Sequence, residues 1–221
     1  MSKVSIYSDI RNIDRGHNID IDLALERIKL GRSKDIVEQI RYNLKEGNLE
    51  EAKKLKTFKL PYVCFSGTFT RRDDDSIVDH SGFAILDFDH LPEDIMVECK
   101  NFLKGHTFVH SYWRSPSGDG LKVLIRIPNS IQDHKDYYLG IVKHFSEYKE
   151  YLDETSINLS RACFESYDPQ IYINEDSEEF VEKYVSVAIT YTAPESIRTD
   201  YAKVNVAANI IRHSLPGEMH A

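Results

Sequence analysis

Only three of the 221 residues are cysteine, and Cys64, Cys99 and Cys163 stand far apart with no paired spacing. They read as small buried hydrophobes in a reducing compartment, not as a disulfide or zinc framework. No apolar run approaches the roughly 20 residues that cross a bilayer, and the N-terminus lacks the apolar core of a signal peptide. The expectation is a cytoplasmic protein with no membrane partner. Positive charge is also scarce: 28 Lys and Arg against 36 Asp and Glu leave a formal net charge of −8. This argues against a protein that coats duplex nucleic acid through bulk charge, which needs basic patches to neutralise phosphates. It leaves room for a local basic groove, and for a nucleotide enzyme whose metal site needs carboxylates. Repeats and low-complexity segments are absent as well.

What is present is a globular composition, 41% hydrophobic and 29% charged. It suffices for one large domain or a domain with an appendage. Residues 1–57 open with a short strand at Val4-Ser5-Ile6-Tyr7. Asn18 to Asp22 then suit the cap of a short helix carrying Leu23, Leu25, Ile28 and Leu30. Ser33 suits the cap of a second helix, with Ile36, Val37, Ile40 and Leu44 on one face and Gly47 closing it. A charged helix follows over 49–56.

From Leu60 to Phe69 the pattern becomes β-type, and Thr70-Arg71-Arg72-Asp73-Asp74-Asp75 reads as a polar turn, its arginine pair solvated at the tip in the favoured reading and touching phosphates in the alternative. A strand over about 82–87 precedes Pro92, which suits the first turn of a helix carrying Ile95, Cys99, Phe102 and Leu103. Strands follow over 107–113 and 121–127, then a long helix over 131–148, then a strand over 162–167 ending at Asp168-Pro169. Beyond 175 the chain is helix-prone and then polar, with a linker over 186–201 and a short helix over 204–213. Strand–helix–strand alternation predicts an α/β (α+β) fold. The expected organisation is an N-terminal helical or αβ portion over 1–57, a core over 58–175 and a tail over 176–221.

Three groups of residues carry chemistry. Phe83 to His90 is an apolar run ending in Asp87 and Asp89, whose period-2 spacing directs both carboxylates to one face. Two adjacent acids repel unless a cation or proton intervenes. An acidic turn and a Mg²⁺ or Mn²⁺ site both fit, with His90 an exposed loop residue. Ser115-Pro116-Ser117-Gly118-Asp119-Gly120 is a small-residue turn feeding a strand in which Lys122 and Arg126 share a face. It suits a phosphate-binding turn or a plain two-glycine hairpin, and it is not a Walker loop. Asp153 and Arg161 gain interest only as partners of the first two, as a third carboxylate and a guanidinium for phosphate.

Taken in order, these pieces resemble the archaeo-eukaryotic primase (primase-polymerase) superfamily, and more closely its VirE N-terminal type. The resemblance runs over about 58–174: Leu60-Pro61, Phe65 to Phe69, Ser81 to Asp89, Ser115 to Lys122, Asp153, and Ser160 to Pro169. It implies an RRM-like sheet with packed helices beside a smaller N-terminal portion. It further implies a nucleotidyltransferase acting on single-stranded DNA template with NTP or dNTP. Asp87, Asp89 and Asp153 would be catalytic metal ligands, and Ser115, Ser117, Gly118, Gly120, Lys122 and Arg161 would bind nucleotide. Lys122 stands where the superfamily commonly has histidine, and can bind phosphate as a point charge. The stretch from Ile210 to His220 resembles the start of a primase C-terminal module, implying a longer protein with a possible helicase domain. The alternatives are a nucleic-acid- or nucleotide-binding module without catalysis, and a metal-dependent nuclease.

Overall fold

The computed structural model of the chain describes residues 2–184. The linker, the short helix and the C-terminal module expected beyond 185 lie outside the described residues. Strand β1 (Lys3–Tyr7) pairs antiparallel with β2 (His17–Asp20) and β3 (Tyr62–Cys64), and β3 pairs with β9 (Cys163–Phe164). This gives a four-stranded sheet in the order β2-β1-β3-β9. A second sheet, in the order β10-β7-β8-β6, joins β6 (Phe83–Phe88), β7 (Val109–Arg114), β8 (Leu121–Arg126) and β10 (Tyr172–Ile173). A hairpin of β4 (Gly67–Phe69) and β5 (Ile77–His80) completes the strands. The class is α+β, as expected.

The second sheet is buried on both faces, which is why β6 is apolar throughout until Asp87. Ala84, Leu86 and Phe88 face α4 (Glu93–Lys104) and α5 (His134–His144), packing with Met96, Cys99, Leu103, Tyr138 and Ile141. Phe83 and Ile85 face the other way, onto Val4, Ile6 and Val63 of the first sheet, Phe65 of the turn after β3, and helix α1 (Ile21–Leu30). The period-2 alternation of a strand divides these two layers. The three cysteines are free and buried, as the spacing predicts.

Several local expectations shift. Residues 17–20 form a strand, because β1 offers a partner that local propensity cannot reveal. In α1 the buried face is Ile21, Ala24, Leu25 and Ile28, while Leu23 and Leu30 are exposed. Ser33 precedes α2 (Lys34–Lys45) without capping it; its hydroxyl goes to the buried carboxylate of Glu165. Helix α3 runs from Leu49 to Lys59. The long helix expected over 131–148 is α5 followed by a 3₁₀ segment, Ser146–Tyr151. Among the described residues no helix is long and apolar enough to cross a membrane.

Residues 177–184 form neither helix nor strand, and lie along the core. The Phe180 amide donates to the Arg126 carbonyl and the Tyr184 amide to the Asp136 carbonyl, with Phe180 buried. Gly140 of α5 is the contact that admits this strap: a β-carbon there would lie 2.1 Å from the Glu182 carbonyl oxygen. Replacing a helix-interior glycine with alanine ordinarily stabilises by about 1 kcal/mol. Here the sign is expected to invert. Gly140→Ala should destabilise by about 1–3 kcal/mol, since backbone must move, and should raise amide exchange at Phe180 and Tyr184. A higher melting temperature would refute the packing.

Candidate functional site

The edge strand β6 and the central strand β8 are in register, so that Asp87 stands directly opposite Lys122. On the far side of β8, Trp113 of β7 stands opposite the same lysine. Trp113 is fully buried beside this pair, and Asp87 and Lys122 are themselves buried, so their heads meet at the cleft wall with little exposure to solvent. Lys122 Nζ lies 2.5 Å from Asp87 Oδ1 and 3.9 Å from Asp89 Oδ1. Burial alone would lower the lysine pKa, but Asp87 and Asp89 hold it above its ordinary value.

Asp153 arrives from the other direction. Its amide donates to the Asp87 carbonyl and the Asp89 amide donates to the Tyr151 carbonyl, which stitches 151–153 onto the end of β6. Asp153 caps a 3₁₀ turn, Glu154–Ile157, accepting from the Thr155 amide and hydroxyl at 3.0 and 2.6 Å. Arg161 Nη2 bridges the two acids, 3.2 Å from Asp87 Oδ2 and 2.5 Å from Asp153 Oδ2. Burial would raise the Asp153 carboxyl, yet the Thr155 bonds and Arg161 hold it below the usual carboxylate range. Arg161 is itself set in place by its neighbour: Ser160 donates through its amide and hydroxyl to Asp74 Oδ1 at 2.8 and 2.5 Å.

These residues border a cleft of about 390 Å³ at the end of β6, lined by Asp87, Asp89, Lys122 and Arg161 and walled by Pro116, Ala162 and Phe164. Five of the nine residues singled out from the sequence, Asp87, Asp89, Asp153, Lys122 and Arg161, therefore come together. The turn over 115–120 contributes Pro116 to the lining, while Ser115, Ser117, Gly118 and Gly120 are not among the lining residues. The turn is braced by its own hydrogen bonds. The Ser115 amide donates to the Gly120 carbonyl and the Gly118 amide to the Ser115 carbonyl, with Gly118 at φ 89°. Arg41 of α2 clamps the turn, donating to the carbonyls of Ser115 and Tyr167 at 3.0 and 3.1 Å. His90 is exposed and meets Asp119 outside the cleft.

Three lining residues have no counterpart in the motif reading: Lys56 of α3, Arg72 of the turn after β4, and Asn158. Arg72 is a correction, since the pair Arg71-Arg72 reads as a solvated tip. Only Arg71 is exposed, pairing with Asp14; Arg72 is half-buried, its amide tied to the Ile13 carbonyl. The pair itself was the available signal. Lys56 had none, being one of four lysines in its helix.

The chain matches the family model described as BT4734-like, N-terminal domain, over residues 55–173, which is more than half of its length. It belongs to this family. No curated protein and no solved structure matches the chain. The matched part of this BT4734-like domain runs from the last turns of α3 to the end of β10 and contains every residue that lines the cleft.

Three carboxylates are a hard oxygen donor set of the kind Mg²⁺ and Mn²⁺ take. The buried Asp87 Oδ1 fits this, having no hydrogen-bond donor aligned with it although the Lys122 ammonium is in contact. Among the described residues no three such groups surround a single point. Lys122 stands between Asp87 and Asp89, and Arg161 between Asp87 and Asp153. The donors suit a divalent cation, and the chain's own cations fill the gaps between them.

Proposed function

We propose that this BT4734-like domain is a nucleotidyltransferase of the primase-polymerase kind, extending or making a primer on a single-stranded DNA template from NTP or dNTP. One observation carries the reading: Asp87, Asp89, Asp153, Lys122 and Arg161, spread over 75 positions of sequence, line or border one cleft. Asp87, Asp89 and Asp153 would hold Mg²⁺ or Mn²⁺. When bound, the metal supplies charge neutralisation at phosphate oxygens and lowers the pKa of an attacking hydroxyl. Lys122 and Arg161 hold phosphate oxygens once the carboxylates have another counter-charge. Trp113, buried beside Lys122, keeps water from one side of the Asp87–Lys122 pair and so strengthens the charge interaction there. In the transfer the primer 3′-oxygen bonds to the α-phosphorus and pyrophosphate leaves. The RRM-like form of the second sheet, a downstream helicase or primase module and the template partner belong to the same proposal.

A second reading, a domain that binds nucleotide without turning it over, is favoured by the Lys122–Asp87 ion pair, which already neutralises the acid a metal would need. The test is incorporation of labelled nucleotide on a primed and an unprimed single-stranded template with Mg²⁺ or Mn²⁺. The proposal expects template-dependent products that disappear with Asp153→Asn. Nucleotide binding by calorimetry with no incorporation on any template selects the second reading.

A further inference from the structure

The cleft holds more positive charge than its carboxylates use. Four cations, Lys56, Arg72, Lys122 and Arg161, line it against Asp87 and Asp89, with Asp153 behind Arg161. Lys122 and Arg161 are taken up by these acids. Lys56 and Arg72 are not: among the described residues neither forms an ion pair, and Arg72 Nε is buried with no hydrogen-bond partner. Each is instead laid over an aromatic ring, Lys56 Nζ at 5.8 Å from the Phe164 centroid and the Arg72 guanidinium at 5.5 Å from that of Tyr62. A cation–π contact fixes where a charge sits without neutralising it. The two come from separate elements, α3 and the turn after β4, yet border one cleft. This local excess of positive charge runs against the chain's net charge of −8.

Half-buried cations without counter-ions are costly to hold together. Burial and the nearby charge of Lys122 hold the Lys56 pKa below its ordinary value. An anion of high charge density would relieve both penalties. The small volume, bordered by Pro116, Ala162 and Phe164, suits a compact polyphosphate better than a nucleic-acid strand, which needs a longer track of cations and faces for base stacking.

We infer that Lys56 and Arg72 form a polyphosphate subsite opposite Lys122 and Arg161, taking the pyrophosphate end of the nucleotide and the pyrophosphate product. The identity of this anion rests on the nucleotidyltransferase reading; the subsite itself rests on the two unpaired cations.

The direct test is calorimetric titration of the whole chain with sodium pyrophosphate in the presence of a chelator, with an oligothymidylate titrated in parallel. Wild type should bind pyrophosphate at one site. Lys56→Ala and Arg72→Ala should each weaken it by about tenfold or more, the scale of losing one charge-assisted contact. Lys56→Arg should stay within a few-fold of wild type, and Lys59→Ala, an exposed change on the same helix, should have no effect. Circular dichroism melts identify any variant that fails to fold, and Lys56→Gln, which keeps most of the stem on Phe164, replaces it. The inference is overturned if wild type does not bind pyrophosphate, or if both alanine variants keep its affinity. Loss of oligothymidylate binding with pyrophosphate binding retained also overturns it, and assigns the cations to a strand. Primer extension is scored separately. Pyrophosphate binding that depends on Lys56 in a protein without extension activity sinks the polymerase reading alone. Normal extension in variants with unchanged pyrophosphate affinity sinks the subsite alone.

Discussion

Asp87→Asn and Lys122→Met are each expected to destabilise the domain strongly, while the double variant recovers most of the loss. The two side chains are only 7% and 10% exposed and sit on directly paired strand positions. Removing one partner of a buried pair leaves an uncompensated charge, which costs about 3 kcal/mol or more. Removing both leaves two neutral side chains at these positions, and Arg161 keeps Asp153 as its partner. The double variant should therefore fall within about 1 kcal/mol of wild type, since replacing a buried pair entirely is often near neutral. The coupling from the cycle is expected at about 2 kcal/mol or above, against about 0.5 kcal/mol for residues that do not touch. Asp87→Asn should cost more than Lys122→Met, because Arg161 still reaches Asp87 in the second case. Activity should behave differently. All three variants are expected to lose incorporation by about a hundredfold or more, the scale of removing one preorganised charged group. Denaturant titration together with the incorporation assay separates the two effects. Additive stability losses would show that the pair is not buried as described.

Gly120→Ala is the second change with a large expected effect. A β-carbon at this position would lie 2.3 Å from the Phe88 carbonyl oxygen and 3.3 Å from the Asp89 α-carbon. Both are backbone atoms at the end of β6, so no side chain can turn aside to relieve the overlap. The last β6–β8 pair, Phe88 with Leu121, would have to open, and Asp89 would move away from Lys122. A loss of about 2–4 kcal/mol is expected from overpacking against fixed backbone. Gly118→Ala provides the comparison: its φ of 89° strains an L-residue, while the atoms it meets belong to the Arg41 side chain at 3.3 Å or beyond. About 1–2 kcal/mol is expected there. Thermal melts should rank Gly120→Ala well below Gly118→Ala. Equal melting temperatures would mean that the turn does not touch β6.

The glycine turn therefore has a structural use that its composition did not reveal. Small residues permit close approach, and the sequence cannot say what approaches. Here the neighbours are the β6 backbone, for Gly120, and Arg41, for Gly118. Short strands raise a similar difficulty. Segments 17–20 and 172–173 are too brief for a period-2 pattern to stand out, and become strands only because β1 and β7 present matching edges. The buried face of α1 was misjudged for a related reason. Leu23 and Leu30 are as apolar as Leu25 and Ile28, but only the latter two point at the first sheet and the face of β6.

Strand alternation is a local property, and by itself it determined a good deal. It assigned the apolar core strands and the common face of Asp87 and Asp89, because each follows from side chains alternating about a two-residue repeat, while the succession of strands and helices assigned the α+β class. The buried, unpaired state of the three cysteines followed from their spacing in the same way. What only the tertiary structure decided is who meets whom. Arg161 reaches Asp87 across 74 positions, Ser160 reaches Asp74 across 86, and Lys122 faces Asp87 through the β6–β8 register. Arg72 joins the cleft from a turn whose arginine pair was its one signal, and Lys56 from a helix that carried none. Such contacts depend on sheet register and on the packing of separate layers. Local periodicity does not encode either of these, so the charges were legible in the sequence while their pairing was not.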